Sequence, residues 1–258
     1  MFALPRLDRV LQRDKLPLWF ALMVVIGSSW AYLGAGGGTM QEMGEMTMPM
    51  SIWPWTITHA GTMLFMWMVM MTAMMLPSAT PAILLYSHIN RRGADKREVA
   101  PALFTLGYLA VWMGFSLVAV VAQFLLEWTG YLSTMMESSS ATLSGVLLVV
   151  AGLYQLTPYK YACLRACRSP LEFLMLHWHV GVMGALRMGV RHGAYCVACC
   201  WALMLLLFVG GVMNVLWIVG LTVYVLVEKL MPGGRRITVA TGVLLIAAGA
   251  FTLVTSLR

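Results

Sequence analysis

Apolar residues along this chain come in long blocks rather than in alternating or one-faced patterns. Runs near the length that a helix needs to cross a hydrocarbon core about 30 Å thick fall at 17–35, 58–86, 102–126, 142–158, 194–211, 213–230 and 237–256. Each predicts a transmembrane helix, because a helix satisfies its own backbone polar groups inside lipid. The segment 171–190 is apolar as well, but it carries His177, His179 and Arg187 and reads as an interfacial or re-entrant helix. A tight turn near Gly210 and Gly211 joins the fifth and sixth spans. The expected fold class is all-α: one polytopic bundle of about seven transmembrane helices over residues 1–258.

The polar positions orient the bundle. Arg6, Arg9, Arg13 and Lys15 precede the first span, and Arg91, Arg92, Lys96 and Arg97 follow the second. Lys160, Arg165, Arg168, Arg187 and Arg191 lie between the fourth and fifth, and Lys229, Arg235 and Arg236 follow the sixth. All fall on one side, which the positive-inside rule makes cytoplasmic. The opposite loops, 36–57 and 127–141, hold no Lys or Arg. The N-terminus is therefore expected inside, the C-terminus outside, and the protein in the cell inner membrane. The first span is expected to be a retained anchor, since it is longer than a signal core and no A-x-A site follows it. Trp30, Trp53, Trp55, Trp128 and Tyr131 sit at outer boundaries and Tyr154, Tyr159 and Tyr161 at an inner one, as interfacial aromatics do.

Composition agrees. Of 258 residues, 60% are hydrophobic and 10% charged, where a soluble domain carries about a quarter charged residues. The net charge of +7 is spent on the cytoplasmic clusters, which argues against a nucleic-acid partner and leaves the lipid bilayer as the first one. No Ser-His-Asp set, phosphate-binding glycine loop or mid-membrane carboxylate pair appears, so no enzymatic activity is expected. Glu127, Glu228 and Lys229 read as span-end residues, with Gln123 and Asn214 as the main deep polar groups.

What remains is sulfur, with 23 methionines and five cysteines. In the outer loop Met40, Met43, Met46, Met48 and Met50 recur every two or three residues among Gly, Thr, Glu and Gln. Thioether sulfur is a soft ligand that suits Cu(I) and needs no deprotonation. In the second span His59, Met63, Met66, Met70 and Met74 fall on one helical face that descends from that loop, and Met68, Met71 and Met75 form a second stripe. Packing alone also accounts for apolar methionines. Pro77 and Pro81 predict a break or kink near the inner end. In the fifth span His192, Cys196, Cys199 and Cys200 share a face at what reads as its cytoplasmic mouth. Adjacent Cys199 and Cys200 do not both point fully at one centre, and a partner helix is expected to add a methionine such as Met75. Cys163 and Cys167, four apart among basic residues, form a second candidate thiol pair. His88, His177 and His179 read as interfacial.

The segments MMTAMMLPSATP, TPYKYACLRACRSP and GVRHGAYCVACCWALMLLLFVGGVMN resemble a family of predicted metal-binding integral membrane proteins often labelled copper chaperone, over roughly residues 58–232. The resemblance implies copper handling. The residues themselves predict an external Met-rich loop (36–57) that captures Cu(I) and a cytoplasmic Cys/basic segment (158–193) that receives or holds it, with a cuproenzyme or a copper chaperone as partner. Two other readings stay open: a membrane thiol redox protein or sensor, and a structural subunit whose sulfur only packs.

Overall fold

The computed structural model describes residues 16–37, 40–43, 46–49, 55–92, 99–133, 136–231 and 234–256. Ten helices and one short hairpin are seen among them: α1 (Leu16–Gly34), β1 (Met40–Met43), β2 (Met46–Pro49), α2 (Ile57–Arg92), α3 (Ala100–Trp128), α4 (Ala141–Gln155), α5 (Pro158–Arg168), α6 (Pro170–Leu176), α7 (Gly181–Met204), α8 (Leu207–Gly210), α9 (Val215–Leu230) and α10 (Gly234–Ser256). The all-α expectation holds except for the hairpin, in which Met43 stands opposite Met46 and Gln41 opposite Met48.

Five helical stretches are long and apolar enough to cross a membrane, and six if the bent pair α4 and α5 is one span. The expected sixth span is the 16-residue α9, about 24 Å long at 1.5 Å per residue and so short of a full hydrocarbon core. The fourth ends early for a local reason. Thr157 caps α5 by accepting from the Lys160 amide at 3.3 Å, and Pro158, which has no N–H to continue α4, takes the first turn instead. The chain bends by 67° there.

Segment 171–190 corrects the sequence reading. It does not form one helix: the short α6 ends at Leu176, and from Gly181 the chain is already in a 30-residue apolar stretch reaching Gly210. Arg187 and Arg191 interrupt the hydropathy, but both are exposed while Gly184, Gly189 and Gly193 are buried. A Cβ at Gly189 would overlap the Phe104 carbonyl, and one at Gly193 would lie 3.0 Å from the Tyr108 carbonyl oxygen. Small residues thus let α3 and α7 run side by side, the close approach that holds helices together in lipid. Likewise Gly145 and Gly152 of α4 meet Gly249 and Gly242 of α10. Pro77 and Pro81 do not end α2, which runs through both.

The first three helices alternate in direction. Tyr32 near the end of α1 meets Phe65 near the start of α2. Tyr86 of α2 stacks on Phe104 at the start of α3, whereas Trp67 bonds Gln123 near its end. The core sits between α2, α3, α7 and α9, with α5 and α6 folded against its lower end. The turn expected near Gly210 and Gly211 is present, with Gly211 at φ +91°, a conformation glycine adopts without steric cost.

Candidate functional site

Four of the five cysteines meet inside the bundle. On α7, Cys199 and Cys200 stand three and four residues beyond Cys196, so both thiols reach back to its carbonyl, at 3.1 and 2.8 Å. They then diverge. Cys199 Sγ lies 3.9 Å from Cys167 Sγ of α5, and Cys200 Sγ lies 4.0 Å from Met75 Sδ of α2. Cys196 interacts through its side chain with Cys167, Cys199 and Cys200. All three α7 thiols and Met75 are at most 1% exposed.

The sulfur is not alone. Lys229, near the end of α9, extends into the core and donates to Cys196 Sγ at 2.9 Å and to Ser78 Oγ at 3.2 Å. The Tyr108 hydroxyl of α3 donates to the Met75 carbonyl at 3.0 Å and lies 3.1 Å from Cys196 Sγ. Five helices therefore converge on Cys196. A lysine ammonium held inside a helical bundle is costly unless paired, and here its partners are a thiol and a hydroxyl. The neighbouring Glu228 faces the other way. It forms a buried ion pair with Lys160 of α5 at 2.8 Å and accepts from Thr238 at 2.8 Å. Arg168 Nε donates to its backbone carbonyl at 2.9 Å. These contacts tie α5, and so Cys167, to the end of α9.

His192 is not at a helix mouth, nor is Cys196. Both lie well inside α7, His192 among the rings of Phe104, Tyr108 and Phe173 at centroid distances of 5.9, 5.9 and 5.1 Å. Its Nδ1 has no hydrogen-bond partner among the described residues. Cys163 and Cys167 are both free and half-buried, and the thiol that meets Cys167 is Cys199 rather than Cys163. Cys163 borders a cavity of about 280 Å³ beneath the cluster, lined also by Glu172, Phe173, His177 and Tyr195.

The second-span stripe is buried along its length: His59, Met63, Met66, Met70 and Met74 all face inward. The other stripe splits, because Met71 and Met75 are buried while Met68 lines an outer groove between α1, α2 and α3. Met40, Met43, Met46 and Met48 lie in the hairpin strands; their side chains, and Met50 entirely, lie outside the described residues.

Spacing along one helix pointed to Cys196, Cys199 and Cys200, and to a methionine such as Met75. Lys229, Tyr108 and Ser78 were missed, since they approach from three other helices. Among the described residues no group of three or more His, Cys, Asp or Glu side chains is arranged to hold a metal ion. The donor set is nevertheless soft. With a metal–sulfur bond of about 2.3 Å, two ligand sulfurs sit about 3.8 to 4.6 Å apart between tetrahedral and linear geometry. The pairs at 3.9 and 4.0 Å fall in that range, and thiolate with thioether suits Cu(I) better than hard cations.

Comparison with known proteins agrees with this chemistry. Residues 64–252 match the model of one family, PpoB2, described as a copper chaperone. No curated protein and no solved structure matches the chain.

Proposed function

The chain belongs to the PpoB2 copper chaperone family, and from that premise we propose that it binds Cu(I) as cargo inside an inner-membrane helical bundle. Copper is taken from outside through thioethers, passed along the buried methionine face of α2, and held at the thiols of α7. The role is binding and transfer without catalysis, with delivery to a cuproenzyme or a soluble chaperone. The observation that carries this is the convergence of Cys167, Cys196, Cys199, Cys200 and Met75 in one buried cluster. Lys229 offsets the charge of a thiolate there, which lowers the cost of burying it. The alternating directions of α1, α2 and α3 and the one-sided basic clusters support a cytoplasmic N-terminus. Seven passes follow if the shorter α4 and α9 complete theirs beside longer neighbours.

Metal analysis and Cu(I) affinity of the purified protein test the proposal, beside the C196S/C199S variant. Serine keeps the volume and removes the soft donors, so affinity falls by about 100-fold or more, given that even supporting residues of a metal site are worth 10–100-fold. Unchanged affinity in folded C196S/C199S defeats the thiol site, and a wild-type protein that takes up no copper defeats the function.

A second reading rests on the Cys167–Cys199 pair at 3.9 Å, which suits a redox-active dithiol. Titrating the thiols against defined redox buffers separates the two. A reversible two-electron couple lost in C167S favours this reading; thiols that stay reduced throughout favour copper.

A further inference from the structure

A second set of metal-ligating groups lies at the opposite end of α2 and α3. Glu127 is 5% exposed. Its carboxylate accepts from Trp55 Nε1 and from Gln123 Nε2, each at 2.7 Å. Among the described residues no Lys or Arg pairs with it, and the loops at this end carry no Lys or Arg in the sequence. A buried carboxylate without a cation is costly. The group that faces it is His59, which interacts with it electrostatically. His59 is 9% exposed, packs edge-on against Trp55 at 5.0 Å, and its Nε2 has no hydrogen-bond partner among the described residues.

Two thioethers complete the set. Gln123 Nε2 lies 3.5 Å from Met63 Sδ and 3.4 Å from Met136 Sδ. Met63 is one turn below His59 on the same helical face. Met136 comes from the loop after α3 and holds a left-handed backbone, φ +55°, unusual for a bulky residue. Trp67 Nε1 donates to Gln123 Oε1 at 2.7 Å and so fixes which way the amide points.

We propose that His59, Met63 and Met136, with Glu127 as the counter-charge, form an outer binding site for a copper ion, which the chain occupies before the thiol cluster. This rests on the copper reading and extends it. The imidazole and thioethers are neutral donors suited to copper, and Glu127 supplies the charge a monovalent cation needs when it leaves water. Gln123 is a positioning residue: it holds the carboxylate and both sulfurs from one amide. Trp55 shields the imidazole from the outside.

The test loads purified protein with Cu(I) against a colourimetric Cu(I) chelator, counts bound copper, and records X-ray absorption of the metal. In C196S/C199S/C200S the thiol site is disabled, and about one Cu(I) per chain remains, with nitrogen and thioether sulfur around it. Adding H59N removes the nitrogen signal and that copper; adding M63L or M136L weakens it by about tenfold or more. In the otherwise unaltered chain, H59N lowers the copper count by one and leaves the thiolate-to-copper ultraviolet absorbance in place, so the result does not depend on the triple variant folding. Copper that survives H59N and M63L together in the triple-serine chain, or a folded triple-serine protein that binds none, overturns the outer site alone. Wild-type protein that binds no copper overturns the copper reading as well.

Discussion

The two ends of the α2–α3 pair hold opposite fixed charges. At the outer end a buried carboxylate, Glu127, stands among neutral donors; at the inner end a buried ammonium, Lys229, stands among thiols. Between Met63 and Met75, about 18 Å apart along the helix axis at 1.5 Å per residue, the inward face of α2 offers Met66, Met70 and Met74 and no charge. On the proposed path a cation would meet the carboxylate first, then uncharged thioethers, and last the thiols beside the Lys229 ammonium. The difference teaches that the two ends need not hold the same metal in the same way. The outer end suits capture by an imidazole and thioethers; the inner end suits tighter retention, for which thiols must lose protons.

That contrast is broken most sharply by pH. A thiol must lose its proton to ligate, so each proton released on binding costs tenfold in affinity per pH unit. With Cys196 held as a thiolate beside Lys229 and two further thiols, Cys167 and Cys199, giving up protons, Cu(I) affinity of the inner cluster falls by about 100-fold from pH 8 to pH 7. The thioethers of the outer end have no proton to release, so the copper left in C196S/C199S changes far less over the same interval. Equal slopes for the two proteins remove the distinction drawn between the ends.

Lys229→Met comes next. It keeps an unbranched side chain of similar length but takes away the ammonium that donates to Cys196 and Ser78. Inner affinity drops by about 10–100-fold, the usual cost of losing a group that supports a ligand, and copper at the outer end is unaffected. Lys229→Arg restores part of the loss if charge is what matters. An inner affinity unmoved by K229M reduces Lys229 to a packing residue.

The contrast also marks what was legible in the sequence. Helical spans follow from local apolar runs, so α1, α2, α3 and α10 appear close to where the blocks place them. The start of α7 was misjudged because hydropathy reads Arg187 and the histidines before it as a boundary, whereas the glycines that seat α7 on α3 act through shape. Three cysteines on one face were readable as a helical spacing. Cys196 with Lys229, 33 residues away, and with Tyr108, 88 residues away, is tertiary and leaves no periodic trace. Glu127 and Lys229 were set aside as span-end residues for the same reason. Burial, which a position near a span end conceals, is what gives them a role.

A smaller effect belongs to the hairpin. Replacing Met40, Met43, Met46, Met48 and Met50 together by Leu keeps the apolar volume and removes the soft donors. On the proposed path those residues come before both buried ends, so copper uptake slows by about tenfold while equilibrium affinity at each end stays the same, as expected for groups that govern encounter rather than retention. Stopped-flow uptake set against equilibrium competition separates the two quantities. A fall in affinity with an unchanged rate would place these methionines within a retention site instead.

The finest distinction lies within the inner cluster, between Cys200 and Met75. Their sulfurs are 4.0 Å apart, a separation compatible either with two ligands of one ion or with ordinary packing. Met75→Leu and Cys200→Ser each leave volume nearly unchanged, and each lowers Cu(I) affinity by about threefold, or ~0.6 kcal/mol. If both sulfurs hold the same ion, losing one makes the other less useful, and the double variant is only about threefold weaker than wild type. If each acts only by packing on the thiols that bind, the losses combine to about ninefold. The cycle is read in a Cu(I) competition titration at fixed pH, because the pH dependence above would otherwise swamp it. A ninefold loss assigns ligation to Cys196, Cys199 and Cys167 and leaves Met75 as the last packing residue of the methionine face.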